Sequence, residues 1–295
     1  MIAPVRPDRP ARALVVRARS RLREVGWIER LRVLVTGYAV VYLVVRAPHL
    51  WDVADLGALA PDRWAPVGPL VAWDVPWPAS AVRVVLALTI VAALAATLGR
   101  LWCVTGPAAA AGVLVLTSYR SSWGQVFHTE NLLVLHLLVL AVVALADRTS
   151  LRRAAREVAP QAMVVILVVA YVLAGWAKLR SGGVEWVAGD ALRNHVAHDN
   201  LRKALVGDWY SPLGAWAVAH RWVFPPLAAM SLAVEVGAPV VLRGGRIRTA
   251  WVAAAWTFHL GVLALMAILF PYQLSGVAFA CCWAAGPLRG ERPSP

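Results

Sequence analysis

The chain has 295 residues, 60% of them hydrophobic and only 15% charged, with a mean hydropathy of +0.64. That is too apolar for an ordinary soluble domain, so lipid is the expected solvent. The net charge of +13 does not point to nucleic acid, because the arginines stand between apolar runs, where they act as topology determinants.

Residues 1–30 are arginine-rich without a long apolar stretch. They read as a cytoplasmic basic arm, part of it a helix on anionic lipid, with no cleavable signal. A helix needs about 20 apolar residues to cross a hydrocarbon layer of roughly 30 Å. Eight segments qualify, near 30–47, 79–99, 101–119, 131–147, 160–178, 223–242, 249–268 and 272–288. The expected fold is therefore an all-α bundle of about eight transmembrane helices, one membrane domain over 31–288, with a cytoplasmic tail at 289–295. Arginines gather in the arm, at Arg100, in the RTSLRRAAR turn and in RGGRIR, which places both termini inside and loops 48–78 and 179–222 outside. The tryptophans of those loops, among them Trp51, Trp73, Trp209 and Trp222, read as an interfacial aromatic belt. Cys103, Cys281 and Cys282 form no CxxC pattern and read as packing residues.

Ionisable groups inside membrane helices are costly and usually face a bundle interior. His136, Glu235 and His259 are such groups. Reckoned from Arg243 and Arg248, Glu235 and His259 lie at similar depths of about 12–17 Å on adjacent antiparallel helices, which predicts a contact between them. Such a set serves either as a polar clamp or as a proton or ligand site. No HxxxH or ExxH spacing supports a metal.

A second constellation is expected at the outer face: His128, Glu130 and Asn131 where the fourth helix begins, and Lys178 where the fifth ends. The chain has 27 arginines and two lysines, Lys178 and Lys203. A lysine can give up its proton when desolvated, whereas arginine effectively cannot. Lys178 is thus either an interfacial anchor or a base.

These residues carry a resemblance. AYVLAGWAKLRSGGVEWVAGDAL (170–192) and WTFHLGVLALMAILFPYQL (256–274) resemble the AGxxKL and FH…FP patterns of the vitamin K-dependent gamma-carboxylase family, through its horizontally transferred transmembrane (HTTM) domain. The resemblance implies that Lys178 deprotonates a reduced quinone, vitamin K or menaquinol, with O2 and CO2 as further reactants. His259 and His128 match the family's histidines, and Glu235 its acidic residue one helix earlier. Trp176, Trp186 and His136 are then assigned to holding the quinol. The implied partners are the bilayer, a lipid-soluble quinol and an exported peptide or protein substrate. Two other readings stay open: a non-catalytic accessory protein for exported-peptide maturation, and a quinone-linked subunit resembling DoxX-type proteins.

Overall fold

The structure, a computed structural model, describes residues 9–285 except Phe127 and Gly189, with side chains from Gly26 onward. The expected tail at 289–295 and the side chains of the basic arm lie outside the described residues. The fold is helical throughout, with no strand among the described residues.

Among the described residues, five helices are long and apolar enough to cross a membrane: α1 (Arg9–Leu59, apolar from Gly26), α2 (Ala79–Thr97), α3 (Trp102–Ser121), α5 (Arg152–Gly182) and α10 (Gly245–Met266). The apolar helix α4 (Asn131–Ala146) is shorter. Helices α1 to α5 pack in sequence, each against the next, so their ends alternate between two ends of one bundle. Leu31, Val35, Leu43, Leu137, Leu140 and Leu167 are among the side chains that fill its centre. Small residues set the closest approach, as at Gly112, where a Cβ would lie 2.1 Å from Thr89 Oγ1.

Two expected spans are not continuous helices. Segment 223–242 is α9 (Phe224–Val236) followed by a 3-10 turn, Ala238–Arg243. Gly237 and Pro239 break it, since proline cannot donate to the helix ladder. Segment 272–288 is cut into α11 (Pro271–Leu274), a 3-10 turn at Val277–Phe279 and α12 (Cys281–Ala284), with Gly276 at φ +78 between the first two. Between α5 and α9 stand the short helices α6 (Glu185–Ala188), α7 (Ala191–Leu205) and α8 (Pro212–Val218).

The expected loop 48–78 is also corrected. Pro48 stands inside α1, which continues to Leu59, leaving only 60–78 as a loop. That loop is fastened to the end of α3 by Ala65 N–H donating to the Ser122 carbonyl and by packing of Trp64 on Tyr119 and Trp123. Of the supposed belt tryptophans, Trp51, Trp73, Trp209, Trp216 and Trp222 are exposed, whereas Trp186 is buried. Cys281 and Cys282 are buried as free thiols in the core, and Cys103 is half-buried.

The two bundle ends differ. At the arginine-rich end, Arg156 makes a bidentate pair with Asp147 at 2.7 and 2.6 Å and reaches Glu29, while Arg32 donates to the Ala96 and Thr97 carbonyls. The other end carries loop 60–78, residues 122–130 and helices α6 to α8, and is here called the loop-rich end.

Candidate functional site

Tyr171, Gly175 and Lys178 stand at i, i+4 and i+7 on α5, hence on one face of that helix. Gly175 has no side chain to hold α9 away. A Cβ there would lie 2.9 Å from Val236 Cγ2, 3.0 Å from Glu235 Cβ and 3.2 Å from the Val236 nitrogen. This close approach delivers Glu235 to Lys178, whose Nζ donates to both carboxylate oxygens at 2.5 and 2.6 Å. Glu235 is buried, and the lysine side chain keeps only 22% of its surface. Two aromatic rings flank the ammonium, with centroids 5.3 Å (Trp186) and 5.5 Å (Phe258) from Nζ.

Two turns deeper than Lys178 on the same face, the Tyr171 hydroxyl bonds His259 Nε2 at 2.7 Å. The other ring nitrogen, His259 Nδ1, is buried with no partner among the described residues, and so is Trp186 Nε1. Phe270 lies 4.7 Å from the His259 ring and 5.6 Å from that of His128, so it separates the two histidines.

Lys178, Glu235, His259 and Trp186 are thus brought together. The expected contact of Glu235 with His259 is replaced by two others: Glu235 bonds Lys178, and His259 bonds Tyr171. The two partners stand seven residues apart on α5, so the pair is engaged at different levels of that helix. His128 is exposed and reaches the group only across Phe270. Trp176 is 60% exposed, one residue off the Tyr171–Lys178 face. His136 is elsewhere: its ring nitrogens bond Tyr272 Oη at 2.8 Å and the Met163 carbonyl at 3.2 Å. Met163 is fifteen residues from Lys178 on α5, about 22 Å along the helix. With both nitrogens engaged, His136 joins α4, α5 and α11 as a clamp.

Sequence reasoning missed Tyr171, although its spacing of seven from Lys178 was there to be read. It also missed what Lys203 does. That side chain donates to the Met266 carbonyl at 2.5 Å and pairs with Asp199 at 2.7 Å. Asn200 donates to the Leu265 carbonyl at 2.9 Å, and Ser211 bonds that of Ala264. The last carbonyls of α10, which no helical N–H can reach, are therefore capped by α7 and by the N-cap of α8. Ala267, left-handed at φ 50, ends the helix there.

A second polar group occupies the loop-rich end between α1, α3 and α4. Arg120 and Glu130 pair at 2.9 Å, both deeply buried, and Tyr42 accepts from Arg120 at 3.1 Å. Burial acts to raise the Glu130 pKa, but the Arg120 guanidinium and bonds from Thr129, Arg120 and Tyr42 outweigh it and hold the carboxyl below its usual value. No group of three or more His, Cys, Asp or Glu suited to a metal ion occurs among the described residues.

No protein-family model, curated protein or solved structure matches this chain. The geometry of the site therefore carries the functional argument.

Proposed function

We propose that this chain is a multi-pass cell-membrane protein of about eight crossing segments, both termini cytoplasmic, which binds a reduced quinone beside Lys178 at the loop-rich, outer end. In this reading the shorter helix α4, α9 with its 3-10 turn, and 271–285 in its broken form complete the crossings begun by the five long helices. The arginine bias supports the orientation.

The observation that carries the reading is the buried Lys178–Glu235 pair flanked by two unsatisfied ring nitrogens. A hydroquinone is a flat ring with two hydroxyls, and the residues fit it. His259 Nδ1 and Trp186 Nε1 supply hydrogen-bonding positions, while Phe258, Phe270 and Trp186 supply an apolar aromatic wall. When bound, the reduced quinone supplies oxygen-dependent chemistry, of which epoxidation is one outcome and CO2 addition to an exported peptide or protein another.

The chain's own part is to orient the ring and to move a proton. An ammonium facing a carboxylate differs from an amine facing a carboxylic acid only by the position of one bridging proton. Surroundings poor in water narrow the difference, because the neutral pair carries no desolvated charge. The pair can thus offer a neutral amine to a hydroxyl without a net change of charge at the site. Tyr171 fixes the His259 ring through Nε2 and so aims Nδ1.

The same ion pair favours a second reading, in which Lys178 and Glu235 only clamp α5 to α9 and the protein is a non-catalytic accessory factor. Lys178→Arg separates the two. It keeps the charge and a bidentate bond to Glu235 but removes a usable deprotonated state. With purified protein, reduced menaquinone or vitamin K and O2, the variant is expected to keep its thermal stability and to lose quinol oxidation by about a hundredfold or more. Unaltered turnover by Lys178→Arg, or none by the parent protein, would discard the catalytic role and leave the clamp.

A further inference from the structure

Tyr38, Tyr42, Arg46 and His49 lie along one stripe of α1, each three or four residues from the next. Its first half faces the bundle, the Tyr38 ring packing 5.0 Å from that of Tyr272 and Tyr42 bonding Arg120, while Arg46 is half-buried and His49 exposed. Behind it, Arg120 and Glu130 cancel each other's charge at 2.9 Å. Arg46 is close enough to Tyr38, Tyr42 and His49 to act on each electrostatically.

Arg46 is a unit charge within an apolar helix long enough to cross a membrane, and it is half-buried. Among the described residues it has neither a hydrogen-bond partner nor an ion pair. Other arginines at the same end solve this problem inside the protein, as Arg83 does with Asp55 at 2.7 and 2.8 Å. Asp52 acts on His49 but bonds neither His49 nor Arg46. A guanidinium half-buried at the loop-rich end and given no counter-charge by the chain can take one from outside it. Of the nearby carboxylates, Glu130 is already taken by Arg120, Thr129 and Tyr42, and Asp52 makes no bond to the guanidinium.

We infer that Arg46, with the His49 ring one turn on, is a binding site for a phosphate-class oxyanion. The planar guanidinium presents parallel N–H groups that match two oxygens of a phosphate, and the imidazole adds a further donor. A phosphodiester carries one negative charge and only acceptors, which balances the single unmatched positive charge. The site lies level with the end of α3 and the start of α4, where the bundle meets its loop-rich surface. Both a lipid headgroup and free phosphate present this chemistry there. The inference is independent of the quinol reading.

The test measures thermal unfolding of the full-length protein in maltoside micelles. One arm adds dioleoylphosphatidylglycerol, with dioleoylglycerol as the phosphate-free control, and another adds inorganic phosphate. A rise of roughly 4 °C or more is expected at a hundredfold excess over Kd, with the lipid if the source is a headgroup and with inorganic phosphate if it is free. Arg46→Gln is expected to lose the rise. Should that variant not fold, Arg46→Lys, which keeps the charge without the fork, is expected to need about tenfold more ligand for the same rise. The site is overturned if neither arm stabilises the parent protein, if dioleoylglycerol matches the phospholipid, if Arg46→Gln keeps the full rise, or if Arg46→Lys responds at the parent's concentration.

Discussion

From α1 to α5 the chain crosses the bundle in uninterrupted helices whose backbone groups bond one another. Beyond Gly182, α10 apart, it advances in short pieces, and side chains must take over the work of the missing turns. Lys203, Asn200 and Ser211 cap α10. Arg248 donates to the carbonyls of Val241 and Ala285, Trp251 to that of Val234, and Trp256 to that of Leu274. In the first region the arginine cap on α2 is one of few such bonds. Broken backbone at membrane depth is tolerated where protein satisfies it, and such breaks gather around ligand sites. The Lys178 site lies where the two regions meet, with α5 from the first and α6, α9 and α10 from the second.

Three substitutions probe that division, from the largest effect to the smallest. Gly175→Leu drives a side chain into Glu235 and Val236 at the seam. It is expected to cost about 3 kcal/mol and to part Lys178 from Glu235. A loss of thermal stability together with protease sensitivity at 183–223 is the expected reading, and a parent-like melt would deny the close approach of α9.

Lys203→Met keeps the length of the side chain but strips the Met266 and Ala267 carbonyls of their donor. About 2 kcal/mol is expected, seen as faster amide exchange around 264–270 with α1 to α4 unchanged. Equal acceleration across all helices would mean that the second region is not a separately stabilised unit.

Gly261→Ala has the smallest expected effect and the opposite sign. A Cβ at Gly261 meets nothing within 4 Å, and the residue is inside α10. Helix propensity then gives a gain of about 0.5–1 kcal/mol. A loss of stability there would show that the outer turns of α10 are held less regularly than the capping implies.

The long crossings were legible because an uninterrupted apolar run has only one low-energy form in lipid. Averaged hydropathy is blind to where a run is cut, although the cutters, Gly237, Pro239, Pro271 and Gly276, were in plain view. Lys178, Glu235 and His259 were recognisable as rare ionisable groups in apolar surroundings. Who bonds whom was not, since chain position gives an approximate depth and leaves the partner open. His136 was expected at a similar depth, yet it is satisfied at Tyr272 and Met163, far along α5 from Lys178. Arg46 was hidden for another reason: an arginine near the end of a span reads as an anchor until its neighbours are known.

The proline inside α1 has a mechanical consequence. Pro48 cannot donate to the carbonyl of Val44, which leaves one rung missing just below the stretch that ends at Leu59. Those last eleven residues form a lever roughly 16 Å long, and a kink of about 20° would swing its tip by about 5 Å. Arg83 Nη2, donating to both Asp55 carboxylate oxygens, ties the lever to α2 above its fulcrum. The core packing of Leu50, Val53 and Ala54 and the tie from Ala65 to Ser122 hold the tip of α1 and loop 60–78 on the end of α3 as well, so the missing rung does not by itself free the end of the helix.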